Sequence, residues 1–249
     1  MLATLVKGTE WSQLTEYLSP VFFQIVPPLK MAGKLKSLAG GYLSSHAFNT
    51  ALTTIRPALE TSGLGVSLVA PGSVVTAQGG DDDSTRRRRG DLILRLYFWQ
   101  IFNLDVNLLD FRRRAFHSDG DQLVWQPAAL FNHWDKDFVA AVRQMYIGFY
   151  HTRHDIMDTA LHKLGLYGAK DTLLNHFGTN QDCVYFDLAK FRSTFHDVFL
   201  ACKKARSQLH PDFLALGGIL ACLYEHLEQL GLGLDVKAAF HDVIRDVTV

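Results

Sequence analysis

The chain has 249 residues, 48% of them hydrophobic, with 25 basic and 25 acidic side chains and a formal net charge of zero. That much apolar material excludes a disordered tail protein, and the charge balance excludes whole-molecule attraction to nucleic acid or an anionic membrane, so any such binding must be local. Three cysteines, Cys183, Cys202 and Cys222, are odd in number and widely spaced in segments that read as helix cores, which argues against a disulfide framework and for buried inert thiols in a reducing, cytoplasmic compartment. No apolar run reaches the roughly eighteen residues of a spanning helix, and residues 1–10 lack signal-peptide anatomy.

In chain order, residues 21–29 are an apolar stretch closed by Pro27-Pro28. Lys30, Lys34 and Lys36 beside Leu29, Met31, Leu35 and Leu38 form a short basic amphipathic turn, which suits a helix lying on a core and, more weakly, a membrane surface. Residues 45–55 read as a helix until Pro57 interrupts, and residues 65–70 as a strand. Residues 71–90 hold Gly79-Gly80, Asp81 to Asp83 and Arg86 to Arg89 with nothing apolar after Val75, the pattern of a mobile loop. The chain therefore divides into a helical N-terminal segment with short strands (1–75), a flexible charged loop (76–90) and a helical domain (91–249).

Residues 91–102 are apolar and aromatic nearly all round, which means a buried helix or a strand that periodicity alone does not separate; helix is the preferred reading. Residues 111–117 and 122–126 flank Asp119-Gly120, a tight-turn dipeptide, and predict a β-hairpin. Beyond it the apolar spacing is helical. It predicts one long amphipathic helix over 136–164 ending at Gly165, a short helix over 169–177 with Gly178 behind it, a brief extended piece at 183–186, and helices over 187–206, 210–230 and 236–247. The fold class is mainly α (α+β): an amphipathic helical bundle in the C-terminal half with a small β-hairpin in the middle.

On the predicted long helix, His151, His154, Asp155, Asp158 and His162 fall at i, i+3, i+4, i+7 and i+11 and span about 100° of arc. Imidazole and carboxylate on successive turns could hold a divalent metal such as zinc or iron. The stripe is centred opposite the apolar face, however, where a bundle helix meets water, and a metal centre would need further ligands such as His196, His226 or His241. The runs Arg86 to Arg89 and Arg112 to Arg114 could contact phosphates of nucleic acid or anionic lipid. In a strand Arg113 would point away from Arg112 and Arg114, and Asp81 to Asp83 would compensate the first run. No Gly-x-Ser-x-Gly, no glycine-rich phosphate loop followed by Lys and no paired metal-spaced cysteines occur.

The stretch from Gln100 to Asp110 (QIFNLDVNLLD), the turn at Asp119-Gly120 and Leu123-Val124-Trp125-Gln126 together resemble the catalytic loop and metal-binding turn of the UbiB-like atypical kinase family. Downstream similarity runs through Tyr146 to Tyr150, Ala160 to Gly165, and His210-Pro211-Asp212-Phe213-Leu214 into residues 220–227. The resemblance places Asp105 at the catalytic Asp, Asp110 at the metal-binding Asn and Trp125 at the metal-binding Asp of the later turn. Trp125 cannot bind magnesium, the family's His-x-Asp-Pro-His-x-Gly-Asn run is missing, and the first ninety residues hold no Val-Ala-x-Lys strand. The implication is a kinase-derived helical lobe without transfer chemistry: a non-catalytic binding or regulatory protein, pseudokinase-like, whose partner is a protein or a small apolar ligand. Two other expectations stand beside it, a metal-dependent enzyme using the His/Asp stripe and an ATP-binding phosphotransferase.

Overall fold

The computed structural model describes residues 19–74, 82–119, 122–177 and 183–245. These residues are mainly helical, with short strands in two small sheets, as the apolar spacing predicts. The helices are α1 (Phe22–Ile25), α2 (Pro28–Leu43), α3 (Ser45–Thr61), α4 (Asp83–Asn103), α5 (Lys136–Tyr150), α6 (His154–Leu164), α7 (Lys170–Phe177), α8 (Leu188–Lys204), α9 (Phe213–Glu228) and α10 (Val236–Ile244). The strands are β1 (Val66–Leu68), β2 (Val106–Leu108), β3 (Phe116–Asp119), β4 (Gln122–Trp125) and β5 (Phe131–His133). Gly79, Gly80, Asp81, Gly120, Gly178 and Val247, which carry parts of the sequence reading, lie outside the described residues. The chain forms two compact units, one from Met1–Ala39, Trp134–Gln181 and Asp187–Ala221, the other from Gly40–His133, Asp182–Phe186 and Cys222–Val249. Neither follows the division at residues 75 and 90 expected from composition.

In the first unit the predicted long helix over 136–164 is two helices. Asp135 caps α5 by accepting from the Phe138 N–H at 3.0 Å, and α5 stops at His151 because Thr152 takes the left-handed conformation (φ 57°). The Arg153 N–H then returns to the Gly148 carbonyl at 2.8 Å, and α6 starts at His154. The two helices pack as a hairpin around Val139, Val142, Met157, Ala160 and Leu161, all buried. Their close approach depends on Gly148, where a Cβ would lie 2.6 Å from the Met157 backbone nitrogen and 2.8 Å from its Cα. Gly165 closes α6 with φ 73°, the expected left-handed cap. α1 and α8 meet through Phe22 and Phe199, ring centroids 5.3 Å apart.

In the second unit, α3 runs through Pro57 to Thr61 instead of ending before it. The missing N–H and ring clash cost about 3 kcal/mol. Burial of Phe48, Leu52, Ile55 and Leu59, each 3% exposed or less, outweighs that at about 1.5–3 kcal/mol per side chain. The helix expected over 91–102 begins eight residues earlier, so residues 83–90 are helix and not the predicted flexible loop. Asp82, Asp83 and Arg86 to Arg89, which read as self-compensating loop charges, make the start of α4. Asp82 is the N-cap, accepting from the Ser84 N–H at 2.9 Å and the Thr85 N–H at 3.0 Å, and its carboxyl is held well below the usual range chiefly by the Ser84 hydroxyl. Asp83 pairs with Arg86 in the first turn. Further along, Ile93, Leu96, Phe98 and Ile101 are buried completely or nearly so, and Phe98 and Phe102 pack edge-on against Phe240 of α10.

The predicted hairpin is present: β3 pairs antiparallel with β4, His117 opposite Val124, and β1 joins β4 in parallel with Val66 opposite Leu123. Its first arm is shorter than expected, because Arg113–Ala115 form a 3-10 turn in place of strand. Arg112 to Arg114 therefore do not alternate as in a strand: Arg112 is buried, Arg113 and Arg114 exposed. β2 and β5 pair antiparallel, Asn107 opposite Asn132.

Gly148→Ala removes a helix-interior glycine, which alone would stabilise by roughly 0.5–1 kcal/mol. Because the new methyl would strike backbone, urea unfolding should instead show a net loss of about 1–3 kcal/mol. A variant as stable as the parent would contradict the close crossing.

Candidate functional site

The loop after β2 carries a polar cluster enclosed by aromatic rings. Asp110 is 2% exposed and Arg112 7%, and the two form a bidentate pair, Nε to Oδ1 at 2.6 Å and Nη2 to Oδ2 at 2.8 Å. The remaining carboxylate lone pairs accept from the Ala128 N–H at 2.9 Å and the Arg112 N–H at 3.3 Å. The Asp110 carbonyl accepts the indole N–H of Trp125 at 2.9 Å. Trp125 is fully buried, stacks on Phe116 with centroids 5.7 Å apart and planes 4° apart, and meets Phe111 at 5.4 Å. Little water reaches the pair, and every group in it is answered by another.

His226 of α9 closes the other side. Its Nδ1–H donates to the Phe111 carbonyl at 3.1 Å, since a carbonyl can only accept, and Nε2 therefore accepts from Arg89 Nε at 3.3 Å. A second ring proton would face the Arg89 N–H. Burial, then the charge of Arg89, push the imidazole down to about 3. Arg89 also donates through Nη2 to the carbonyls of Phe116 at 2.9 Å and Arg113 at 3.3 Å. Its neighbours in the run are also engaged: Arg86 reaches the Leu230 carbonyl at 3.1 Å, just past the end of α9, and Arg87 the Gly233 carbonyl at 3.0 Å. Three of the four arginines expected to contact external phosphates thus bind backbone carbonyls of their own chain.

A second polar cluster lies in the first unit. Asp212, 2% exposed, pairs with Lys34 of α2 and accepts from the Asp135 N–H at 2.8 Å, while His210 stacks on Phe138 at 5.0 Å. Burial lowers the His210 pKa, against the pull of Asp212 and Asp135.

The sequence-derived candidates are placed as follows. Asp110 and Trp125 meet, whereas Asp105 precedes β2 and is exposed. The break at Thr152 takes His151 off the helix that carries His154, Asp155, Asp158 and His162. Asp155 pairs with Arg153 at 3.0 Å, Asp158 with Lys170 at 2.6 Å, and His162 stacks on Tyr167 at 3.8 Å. Among the described residues no three His, Cys, Asp or Glu side chains come together as a metal-holding group. Cys202 and Cys222 are buried, and burial pushes Cys202 up to about 11 and Cys222 beyond the usual thiol range. Cys183, expected in a core, is exposed, because its segment makes only a single bridge, Val184 to Leu234. Sequence reasoning missed the roles of Arg112, Arg89 and His226. The available signal was His226 on the apolar stripe of α9 between Leu223 and Leu227, where an imidazole needs a partner.

No protein-family model matches the chain, and no curated protein matches it. Among the described residues no helix is long and apolar enough to cross a membrane.

Folded His226 stays neutral to about pH 3, whereas an unfolded histidine takes a proton near 6.5. Between those values the unfolded state binds more protons, so stability falls as pH is lowered, by up to about 1.4 kcal/mol per pH unit for this residue. Urea unfolding between pH 7 and 5 should show that decline, with a shallower slope in His226→Gln. His176, lowered to about 4, leaves the variant some residual slope. Parallel slopes in parent and variant would contradict a buried neutral imidazole.

Proposed function

We propose that the protein acts without turnover, as a binding or regulatory protein on a kinase-derived, pseudokinase-like lobe. The observation that carries this reading is the Asp110 carboxylate, shut from solvent and bonded on both oxygens. Phosphoryl transfer needs carboxylates that face magnesium, the phosphates and an acceptor hydroxyl. In the sealed arrangement the Asp110 carboxylate meets, among the described residues, Arg112 and the Ala128 N–H.

The order of elements supports the kinase-derived part. A buried helix (α4), a strand that pairs with a later one (β2 with β5), a loop, a hairpin (β3–β4) and a second turn follow one another as in the catalytic lobe of that fold. In that order the loop acid would be Asp110 in place of Asp105, and the residue five positions on, where the family has its metal-binding Asn, would be Ala115. Trp125 and Gln126 stand at the second turn and offer magnesium no carboxylate. Either matching lacks the ligand set.

A protein partner is the occupant this reading favours. Phe23 and Leu200, the chain neighbours of the packed Phe22 and Phe199, remain 40% and 43% exposed, and Leu29 of α2 is 89% exposed. Three free thiols among the described residues support a reducing, cytoplasmic address.

Thermal melting with millimolar ATP and magnesium, together with a phosphate-release assay, tests the proposal. It predicts no shift in melting and no release above a buffer control. Turnover abolished by Asp110→Asn in a protein that remains folded would refute it.

A further inference from the structure

Three arginines from two segments of the second unit line one small cavity. Arg86 and Arg89 come from the first two turns of α4 and Arg113 from the 3-10 turn before β3; Thr85, Ser118, Gln229 and Leu230 complete the lining. No lining residue is acidic. Two carboxylates adjoin that lining at the exposed start of the helix, Asp82 bonded to Thr85 and Asp83 paired with Arg86. The cavity volume of about 70 Å³ gives room for one small oxyanion.

Part of this arrangement is structural. Arg86 Nη1 holds the Leu230 carbonyl while its Nη2 pairs with Asp83, and Arg89 Nη2 holds the carbonyls of Arg113 and Phe116, which fixes both guanidinium groups. Two donors are left over. Arg86 Nε is closed to solvent and has no hydrogen-bond partner, a costly state for an ionised group unless something accepts from it. The Arg113 guanidinium makes no hydrogen bond or ion pair among the described residues, yet its charge is felt at His226, which burial keeps neutral. The Ser118 hydroxyl and the Gln229 amide add neutral donors around the same space, while the Thr85 hydroxyl gives its proton to the Asp82 carboxylate at 2.9 Å. Fixed guanidinium groups and neutral donors around a small cavity are the chemistry of an oxyanion site.

From this geometry we infer that the Arg86–Arg89–Arg113 cavity binds one phosphate group, either free or as the terminal monoester of a small molecule. A nucleic acid would require an extended row of outward cations, and Arg87 and Arg89 instead donate to carbonyls of their own chain. The inference does not depend on the kinase-derived reading, since no part of it concerns Asp110 or transfer chemistry.

The test is isothermal titration calorimetry on the full chain, in phosphate- and sulfate-free buffer of low ionic strength. The probes are inorganic phosphate, methyl phosphate, a single-stranded oligonucleotide and vesicles containing anionic phospholipid. Arg113→Ala and Ser118→Ala are the variants; neither side chain makes a hydrogen bond among the described residues, and circular dichroism checks that both remain folded. Saturable one-to-one binding of phosphate or methyl phosphate is expected, weakened at least tenfold in Arg113→Ala and less in Ser118→Ala. The stronger of the two probes tells free anion from monoester. No binding at 10 mM phosphate, on the order of the weakest useful affinity, would overturn the inference. So would binding that Arg113→Ala leaves unchanged, or binding confined to the oligonucleotide or the vesicles.

Discussion

Asp110 and Arg112 are two residues apart in a loop, and both charged groups are buried. Taking them out of water costs several kcal/mol per ion, and that is tolerable only where the geometry is good and the remaining lone pairs are satisfied. Both conditions are met: the pair is bidentate, and two backbone N–H groups complete the carboxylate. The indole of Trp125 ties the Asp110 carbonyl to β4, and Ala128 ties the carboxylate to the turn that follows. The loop, the hairpin and the later turn are held in one arrangement because a poorly paired charge there would be too costly.

The same logic extends outward from that loop. The Phe111 carbonyl needs a donor and finds His226, which must then stay neutral, and a neutral imidazole offers Arg89 an acceptor. Arg89 also takes the carbonyls of Arg113 and Phe116, so the first turns of α4 are fastened to the segment that enters β3. An arginine run that looks like a docking surface for a polyanion thus serves first as internal wiring. What remains available of it is a small cavity.

Legibility in the sequence followed the physics of each element. Helices α8, α9 and α10 were readable because a continuous apolar stripe at helical spacing dictates a helix, whereas the buried part of α4, apolar nearly all round, left helix and strand open. The β3–β4 hairpin was readable because Asp119-Gly120 suits so few other conformations. The break between α5 and α6 was not, since His151-Thr152-Arg153 holds neither glycine nor proline and the turn depends on the close packing of Gly148 against Met157, which the apolar spacing does not report. Pro57 misled because its local penalty is visible and the compensating burial of Ile55 and Leu59 is not. The start of α4 misled because a capped, ion-paired first turn and a charged mobile loop share one composition. Of the candidate site, Asp110 and Trp125 were named from the resemblance. Arg112 and His226 acquired their roles only through burial, which no spacing rule reports.

Whether Asp110 and Arg112 act as one sealed unit is measured directly by a double-mutant cycle of Asp110→Asn and Arg112→Met in urea unfolding. Either single change should cost about 3–5 kcal/mol by stranding its buried partner. The double variant should be more stable than the sum of the single losses predicts, by about 1–3 kcal/mol. Additivity within about 0.5 kcal/mol would mean that the two groups do not depend on each other, and the closed loop would have to be explained some other way.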